Sequence, residues 1–126
     1  MKTDAIELVR KFNKSFGILI NKKPEALSKL DYKLKFDLMM EELSEYMEAC
    51  ENEDIIEIAD AVVDMQYILN GIILAHGLQH VFEDMFIEVH ESNMSKLENG
   101  KVLKRKDGKV LKGKNYYKPN LKKYLK

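Results

Sequence analysis

Two short groups of acidic residues are the strongest candidates for chemistry in the sequence. One reads Glu-Glu-Leu-Ser-Glu and contains Glu42 and Glu45; the other reads Glu-Ile-Ala-Asp and contains Glu57 and Asp60. On a helix with 3.6 residues per turn, residues three apart share a face, so each group presents a pair of carboxylates. Carboxylates held together and away from water repel one another and are costly to bury. A divalent cation between two such pairs would relieve both problems.

Mg²⁺ suits this donor set because it takes six oxygen ligands, usually a few carboxylates with waters and substrate phosphates. Mn²⁺ is an expected substitute. Asp60 and Asp64 favour a metal site, since their neighbours are Ile, Ala, Val and Met and their stripe lies on an otherwise apolar helix. A plain surface stripe stays open as the alternative. In that interpretation Glu57 belongs to a capping box, and Glu41 and Glu48 are solvated.

Other metal and catalytic classes lack the residue patterns that they require. A di-iron carboxylate bundle needs Glu-x-x-His pairs, but the residues three positions before the histidines are Ile73, Gly77 and Ile87. One cysteine, Cys50, and scattered histidines give no zinc-ligand spacing. The same thiol has no neighbouring base and is interpreted as a core residue. The sequence contains no Walker loop and no glycine-rich dinucleotide fingerprint.

Four helices are predicted to position the acidic residues, over residues 4–17, 31–50, 54–76 and 79–96. Capping-box patterns begin the first and third helices at Asp4 and Asp54, and Gly17 and Gly77 can end them. The break at residues 51–54 is short, so the second and third helices are expected to be adjacent, with their acidic pairs facing each other. Because the third helix is apolar almost all round, it is predicted to lie in a core.

The C-terminal segment differs sharply in charge from the rest of the chain. Residues 1–100 contain 10 Lys and Arg against 20 Asp and Glu, whereas residues 101–126 contain 11 against 1. A tail of this kind either meets nucleic acid or phosphate, or is simply solvated. A hairpin is predicted around Asp107 and Gly108. We therefore predict an all-α fold in a single domain, residues 1–126, with a helical core in residues 1–100 and a short basic loop or hairpin after it.

Size and composition also bear on assembly and location. A domain of 126 residues has little stability to spare, so a bundle of about four helices is expected to be completed by oligomerisation. The sequence contains no run of about 18 apolar residues, so no membrane span is predicted. The N-terminal residues lack the apolar segment of a secretion signal. One cysteine cannot form an internal disulfide. We expect a cytoplasmic protein without a membrane partner.

The order of the two acidic groups resembles a known signature. Glu-Glu-x-x-Glu, followed after about a dozen residues by Glu-x-x-Asp, is similar to the motif of the all-α nucleoside triphosphate pyrophosphohydrolases. That superfamily includes MazG-like enzymes, phosphoribosyl-ATP pyrophosphohydrolases and dimeric dUTPases. The resemblance covers roughly residues 5–120. Further segments resemble one branch of the superfamily, which consists of small proteins. These segments are residues 12–17, 60–71, 76–77, 88–96 and 107–113.

The resemblance implies hydrolysis of a nucleoside triphosphate to a nucleoside monophosphate and pyrophosphate. It also implies a helical bundle that assembles as a homodimer or homotetramer, with the nucleotide near a subunit boundary. Glu41 is expected to orient or deprotonate the attacking water, and Asp64 to be a further ligand or a nucleotide contact. The implied Mg²⁺ ligands are Glu42, Glu45, Glu57 and Asp60.

Substrate contacts are expected from a second group of residues. Those that can hold phosphates are Asn93, Lys96, Lys109 and Lys112. A solvated basic loop is an equally good interpretation of Lys109 and Lys112. Many relatives carry arginine near the place of Lys35, whose ammonium lacks the bidentate guanidinium fork. The side chains that can touch the base are Phe12, Phe16, Tyr67 and Asn70, although Phe12 and Phe16 also fit a core stripe.

Two functions from other classes are alternatives to hydrolysis. A helical module whose basic tail contacts nucleic acid predicts salt-sensitive binding that needs no Mg²⁺. A helical adaptor would instead use the acidic stripe to meet a basic protein partner. Neither explains acidic residues on the apolar third helix, so we do not expect nucleic acid to be the partner.

Overall fold

The computed structural model describes residues 4–125, and the ends of the predicted domain at residues 1–3 and 126 lie outside the described residues. Within residues 4–125 there are four α-helices and one short 3₁₀ helix, and no β-strand forms. The prediction of an all-α fold is confirmed. The elements are Ala5–Ser15 (α1), Lys29–Glu51 (α2), Ile55–Ala75 (α3), Phe82–Met94 (α4) and the 3₁₀ helix Lys122–Tyr124.

The start of α3 follows from the predicted cap. The Asp54 carboxylate accepts hydrogen bonds from the backbone N–H groups of Ile56 and Glu57, both at 3.2 Å. The N–H of Asp54 itself donates to the carbonyl of Ala49 at 3.1 Å. A reciprocal capping bond from the Glu57 side chain is therefore not made, and that carboxylate is available for another role.

Local chemistry also sets the other helix ends. Asp4 caps α1 as predicted, accepting from a backbone N–H at 3.1 Å. The second helix begins at Lys29, ahead of the predicted residue 31, because the Ser28 hydroxyl accepts from the N–H of Asp31 at 3.4 Å. Gly77 ends α3 with φ of +70°, and a Cβ there would collide with the backbone of Lys23. That close approach requires glycine.

The contacts divide the described chain into two units, one ending at Gln79 and the other beginning at His80. In the first unit α2 and α1 both pack against α3. The loop after α1 is tied to the end of α3, since the N–H of Asn21 donates to the carbonyl of Leu74 at 3.0 Å and its side-chain amide to that of Ala75 at 2.8 Å. These bonds satisfy carbonyls that the helix end would otherwise leave unpaired.

The prediction that all of α3 lies in a core is wrong for its first half. Ile73 and Leu74 are buried, but Ile55 and Ile56 keep 72% and 75% of their surface exposed. By length and mean composition α3 could cross a membrane, but the core helices of soluble proteins pass the same test. Asp60 and Asp64, both within α3, would be expensive inside a bilayer.

The second unit contains α4 and the basic segment. A hydroxyl of α4, that of Ser92, donates to the carbonyl of Tyr117 at 2.7 Å and holds the returning chain. The predicted hairpin is reduced to a turn, closed by a 2.7 Å bond from the N–H of Leu111 to the carbonyl of Leu103 and by isolated bridges. All side chains from residue 101 to residue 112 are exposed, so there is no buried face to extend the pairing into strands.

Candidate functional site

A cleft of about 240 Å³ lies between α2 and α3, and its lining is mainly acidic. We call it the carboxylate cleft. Three predicted metal ligands, Glu45, Glu57 and Asp60, line it together. The small buried residues Ala49 and Ala61 also line it, and their size lets the two helices approach closely. The remaining lining residues are Glu48, Asn52 and Asp54.

Glu42, the fourth predicted ligand, is half-buried beside this cleft. Its Oε2 atom is buried without a hydrogen-bond partner among the described residues. Burial raises the pKa of Glu42 to about 7, aided by a hydrogen bond with Glu45 and by the negative charges of Asp64, Glu45 and Glu41. Negative charge here is therefore undercompensated, which is the condition that a bound cation would relieve.

The structure corrects the reason for suspecting a metal. The sequence predicts an acidic stripe that is forced out of water, but Glu57 and Asp60 are exposed, as are Glu41 and Glu45. The desolvation argument holds only for Glu42 and for Asp64 one turn beyond the cleft, which are half-buried. Across residues 4–125, no group of three or more acidic, histidine or cysteine side chains is drawn together closely enough to hold a metal ion.

The donor chemistry nevertheless fits Mg²⁺. All four predicted ligands offer carboxylate oxygens, the donors that this ion prefers, and two adjacent helices supply them. Within residues 4–125 the buried Oε2 of Glu42 has no hydrogen-bond partner, and a cation would supply one of opposite charge. The candidate ligands thus share one region, and their side chains would have to move together around an ion.

The predicted phosphate contacts all lie beyond Gln79, in the second unit. There the N–H of Gly113 donates to the carbonyl of Lys96 at 2.9 Å, which brings Lys96 and Lys112 near each other. The ammonium of Lys112 stands 4.8 Å from the centre of a tyrosine ring, and Lys109 is exposed in the turn. Asn93 is exposed near the end of α4.

A second cleft, of about 280 Å³, lies among α1, α2 and α3, and we call it the aromatic cleft. Two predicted base contacts, Phe12 and Tyr67, line it. The other two do not: Phe16 stacks on Phe12 with ring centres 4.3 Å apart, and Asn70 accepts a hydrogen bond from Gln66 at 2.8 Å.

Asn13 is a lining residue of the aromatic cleft that sequence reasoning missed. It is buried, and its Nδ2 atom has no hydrogen-bond partner in the described part of the chain. The available signal was its position four residues after Val9, on the stripe that α1 buries. Buried polar side chains are normally hydrogen-bonded, so an unpaired amide within an apolar stripe is unusual.

Comparison with known proteins adds an independent finding. A family model for phosphoribosyl-ATP pyrophosphohydrolases matches residues 9–93, about two thirds of the chain. The match contains both acidic groups and ends before the basic segment. No curated protein matches the chain in a sequence comparison.

Proposed function

The chain belongs to the phosphoribosyl-ATP pyrophosphohydrolase family, and from that premise we propose that it is a Mg²⁺-dependent nucleoside triphosphate pyrophosphohydrolase. Family membership makes it a hydrolase that acts on a phosphoric anhydride of a nucleotide. To this the proposal adds that hydrolysis requires Mg²⁺ and that the substrate is a nucleoside triphosphate. The observation that supports it is one cleft between α2 and α3 whose lining includes Glu45, Glu57 and Asp60.

In the proposed site Glu42, Glu45, Glu57 and Asp60 hold the cation. Mn²⁺ is the expected substitute, since it accepts the same oxygen donors. When bound, the ion neutralises charge on the triphosphate and makes a bound water more acidic. The undercompensated charge around Glu42, seen in its raised pKa of about 7, supports this assignment.

The remaining acidic residues act on the water and the nucleotide. Glu41 is exposed and precedes Glu42 on α2, so its carboxylate can orient the attacking water and accept its proton. Asp64 is half-buried near Glu42 and serves as a further ligand or a nucleotide contact. The protein supplies position and electrostatics, and water displaces pyrophosphate in line without a covalent intermediate.

Phosphate contacts are proposed for the second unit. The backbone segments that carry Lys96 and Lys112 come close together there, and ammonium groups can hold a triphosphate through charge-assisted hydrogen bonds. Asn93 and Lys109 are proposed to complete the set. If Lys109 and Lys112 are merely solvated, Lys109→Ala and Lys112→Ala will leave KM unchanged.

We also propose that the protein is a homodimer or homotetramer. Large apolar side chains on α2 and α3 are open to solvent, among them Leu30 at 83% and Ile56 at 75% exposure. A second copy covering them would supply burial that a chain of this size needs. Light scattering coupled to gel filtration tests the assembly.

A cytoplasmic location is proposed because the single cysteine, Cys50, forms no internal disulfide. Neither a membrane nor a nucleic acid is proposed as a partner.

One assay tests the activity. The protein is incubated with ribo- and deoxyribonucleoside triphosphates and with phosphoribosyl-ATP, with Mg²⁺ or with EDTA, and pyrophosphate is measured. Release from at least one triphosphate that requires Mg²⁺ is expected, with a large loss in Glu42→Ala and Asp60→Ala. No Mg²⁺-dependent release from any triphosphate would remove the proposal, and turnover of phosphoribosyl-ATP alone would restrict it to that substrate.

A further inference from the structure

The chain after residue 112 turns back and runs along α4 in the opposite direction. We call residues 113–124 the return segment. The N–H of Gly113 donates to the carbonyl of Lys96, just beyond α4, at 2.9 Å. The N–H of Asn120 donates to the Oε2 atom of Glu88, in the middle of α4, at 2.9 Å. The return segment is therefore held at both ends of its path along the helix.

The middle of the return segment is held at Tyr117, through both of its backbone groups. The hydroxyl of Ser92 donates to the carbonyl of Tyr117 at 2.7 Å, and the hydroxyl of Ser95 accepts from its N–H at 3.1 Å. Ser92 is only 2% exposed. Because Glu88, Ser92 and Ser95 are separated by four and three residues, they share one face of the helix. This face supplies polar partners for the backbone of the return segment.

Glu88 is the charged member of this face, and both of its carboxylate oxygens are occupied. Besides the bond from Asn120, its Oε1 atom lies 3.0 Å from the ammonium of Lys123. The Glu88 side chain is 12% exposed, whereas that of Lys123 is 49% exposed. The hydrogen bond from Asn120, followed by that from Lys123, lowers the pKa of Glu88. Such charge-assisted bonds are stronger than those between neutral groups.

The return segment closes a loop that carries much of the basic charge. Residues 97–112 lie between Lys96 and Gly113, so the bond between these two residues holds the ends of the loop together. A Cβ at residue 113 would lie only 2.8 Å from the carbonyl oxygen of Lys96, so this approach requires glycine. The basic side chains of the loop are all exposed, and they are Lys101, Lys104, Arg105, Lys106, Lys109 and Lys112.

An exposed loop binds well only if its conformations are restricted. A ligand binds the fraction of molecules in which the loop is correctly arranged, and its affinity falls in proportion to that fraction. Glu88 lies eight residues before Lys96, or about 12 Å along a helix. Its negative charge also makes it unsuited to contact a phosphate. Any influence of Glu88 on phosphate binding therefore passes through the return segment.

We propose that Glu88 is a positioning residue: by fixing the return segment on α4, it holds Lys109 and Lys112 where they can contact the phosphates of the substrate. This inference rests on the proposed function for the identity of the ligand and for the role of the two lysines. The contacts that support it all lie in the second unit of the chain.

A graded series of variants tests the positioning role. Glu88→Ala removes both contacts, whereas Glu88→Gln keeps an acceptor for the N–H of Asn120 and loses the charge. Lys123→Ala removes the ion pair from the exposed partner and is the variant least expected to disturb folding. The matched control is Glu83→Gln, because Glu83 is an exposed carboxylate on another face of α4.

Three measurements on the full chain follow the consequences. Amide hydrogen exchange at Tyr117 and Asn120 reports whether the return segment stays on α4. Steady-state kinetics with triphosphates and Mg²⁺ give KM and kcat. Calorimetry in EDTA gives the Kd for inorganic tripolyphosphate, which the wild-type protein is expected to bind without any hydrolysis.

In Glu88→Ala both amides should exchange faster, and KM and the Kd for tripolyphosphate should rise about tenfold, as expected if the competent fraction falls to about a tenth. The value of kcat should change by less than about twofold, because ground-state and transition-state binding weaken together. Glu88→Gln and Lys123→Ala should give increases of about threefold. Glu83→Gln should resemble the wild type.

A double-mutant cycle separates positioning from a general loss of structure. Lys112→Ala should raise KM less in the Glu88→Ala background than in the wild type, because that lysine is no longer held in place. Additive effects would overturn the inference, as would unchanged KM and Kd in Glu88→Ala or a wild-type protein that binds no tripolyphosphate. Glu88-dependent binding of tripolyphosphate by a protein that cleaves no triphosphate would support the positioning role and refute only the proposed activity.

Discussion

The carboxylate cleft and the aromatic cleft use the same two helices, yet they are held in shape by different forces. In the aromatic cleft, contacting aromatic rings and apolar side chains form most of the walls. In the carboxylate cleft, acidic side chains share one lining, and Glu57 and Asp60 are exposed. Beside the cleft, an oxygen of Glu42 has no hydrogen-bond partner within residues 4–125. Packing can complete a cavity without help, whereas clustered negative charge requires a counter-ion. We therefore expect a bound cation to change the side-chain arrangement of the carboxylate cleft and to leave that of the aromatic cleft unchanged.

The largest effect is expected from removing one charge in the carboxylate cleft. Glu45→Gln should lower kcat/KM by 100-fold or more, roughly 3 kcal/mol of transition-state stabilisation, because a neutral amide is a poor ligand for Mg²⁺. Steady-state pyrophosphate release measures it. Glu51→Gln is the matched control on the same helix, since Glu51 is exposed and does not line the cleft; equal rates in the two variants would contradict the assignment.

Metal binding should stabilise the fold through the carboxylates alone. At Mg²⁺ concentrations 100 times the dissociation constant, the free energy of unfolding should rise by about 2.7 kcal/mol, since the ion binds the folded state. Thermal melts with and without Mg²⁺ measure the change. Asp60→Asn should lose the increase and Asn13→Leu should keep it. An increase that survives in Asp60→Asn would break the distinction between the two clefts.

The raised pKa of Glu42 predicts an unusual pH dependence for the metal-free protein. Its folded pKa of about 7 lies above the ordinary value of 4.5, so the folded state holds the proton more tightly. The contribution of Glu42 to the free energy of unfolding is therefore complete below about pH 4.5 and is lost as the pH rises through 7. The difference in melting temperature between pH 5 and pH 8 should shrink in Glu42→Gln. An unchanged difference would show that other groups cause it.

A small effect of opposite sign is expected in the aromatic cleft. At Gly71 an added Cβ would meet the Nδ2 atom of Asn13 at 3.8 Å, an ordinary contact. Gly71→Ala should therefore raise the free energy of unfolding by about 0.5–1 kcal/mol through lower chain entropy. Denaturant unfolding checks this increase, and a destabilised variant would refute the packing.

The sequence predicted those parts of the fold that depend on local chemistry. The caps at Asp4 and Asp54 and the terminal glycine of α3 are confirmed because each depends on residues within one turn. Helical spacing also predicted that α2 and α3 present carboxylates, of which Glu45, Glu57 and Asp60 line one cleft. The early start of α2 at Lys29 was missed because the Ser28 cap follows a loop without periodic signals.

Burial could not be predicted in the same way, because it depends on which surfaces meet. Periodicity alone gave no reason for Glu42 to be half-buried while Asp60 is exposed, or for Ile56 to lie open on an apolar helix. The burial of the Asn13 amide becomes visible only when three helices enclose it. Pairing in the basic segment was overestimated because its side chains have no surface to pack against.

A crystal structure with Mn²⁺, using its anomalous scattering, tests the central claim most directly. A single cation site with carboxylate oxygens from both α2 and α3, including Glu45 and Asp60, is the result expected here. An active protein whose Mn²⁺ lies elsewhere, with these side chains still directed into solvent, would contradict the account.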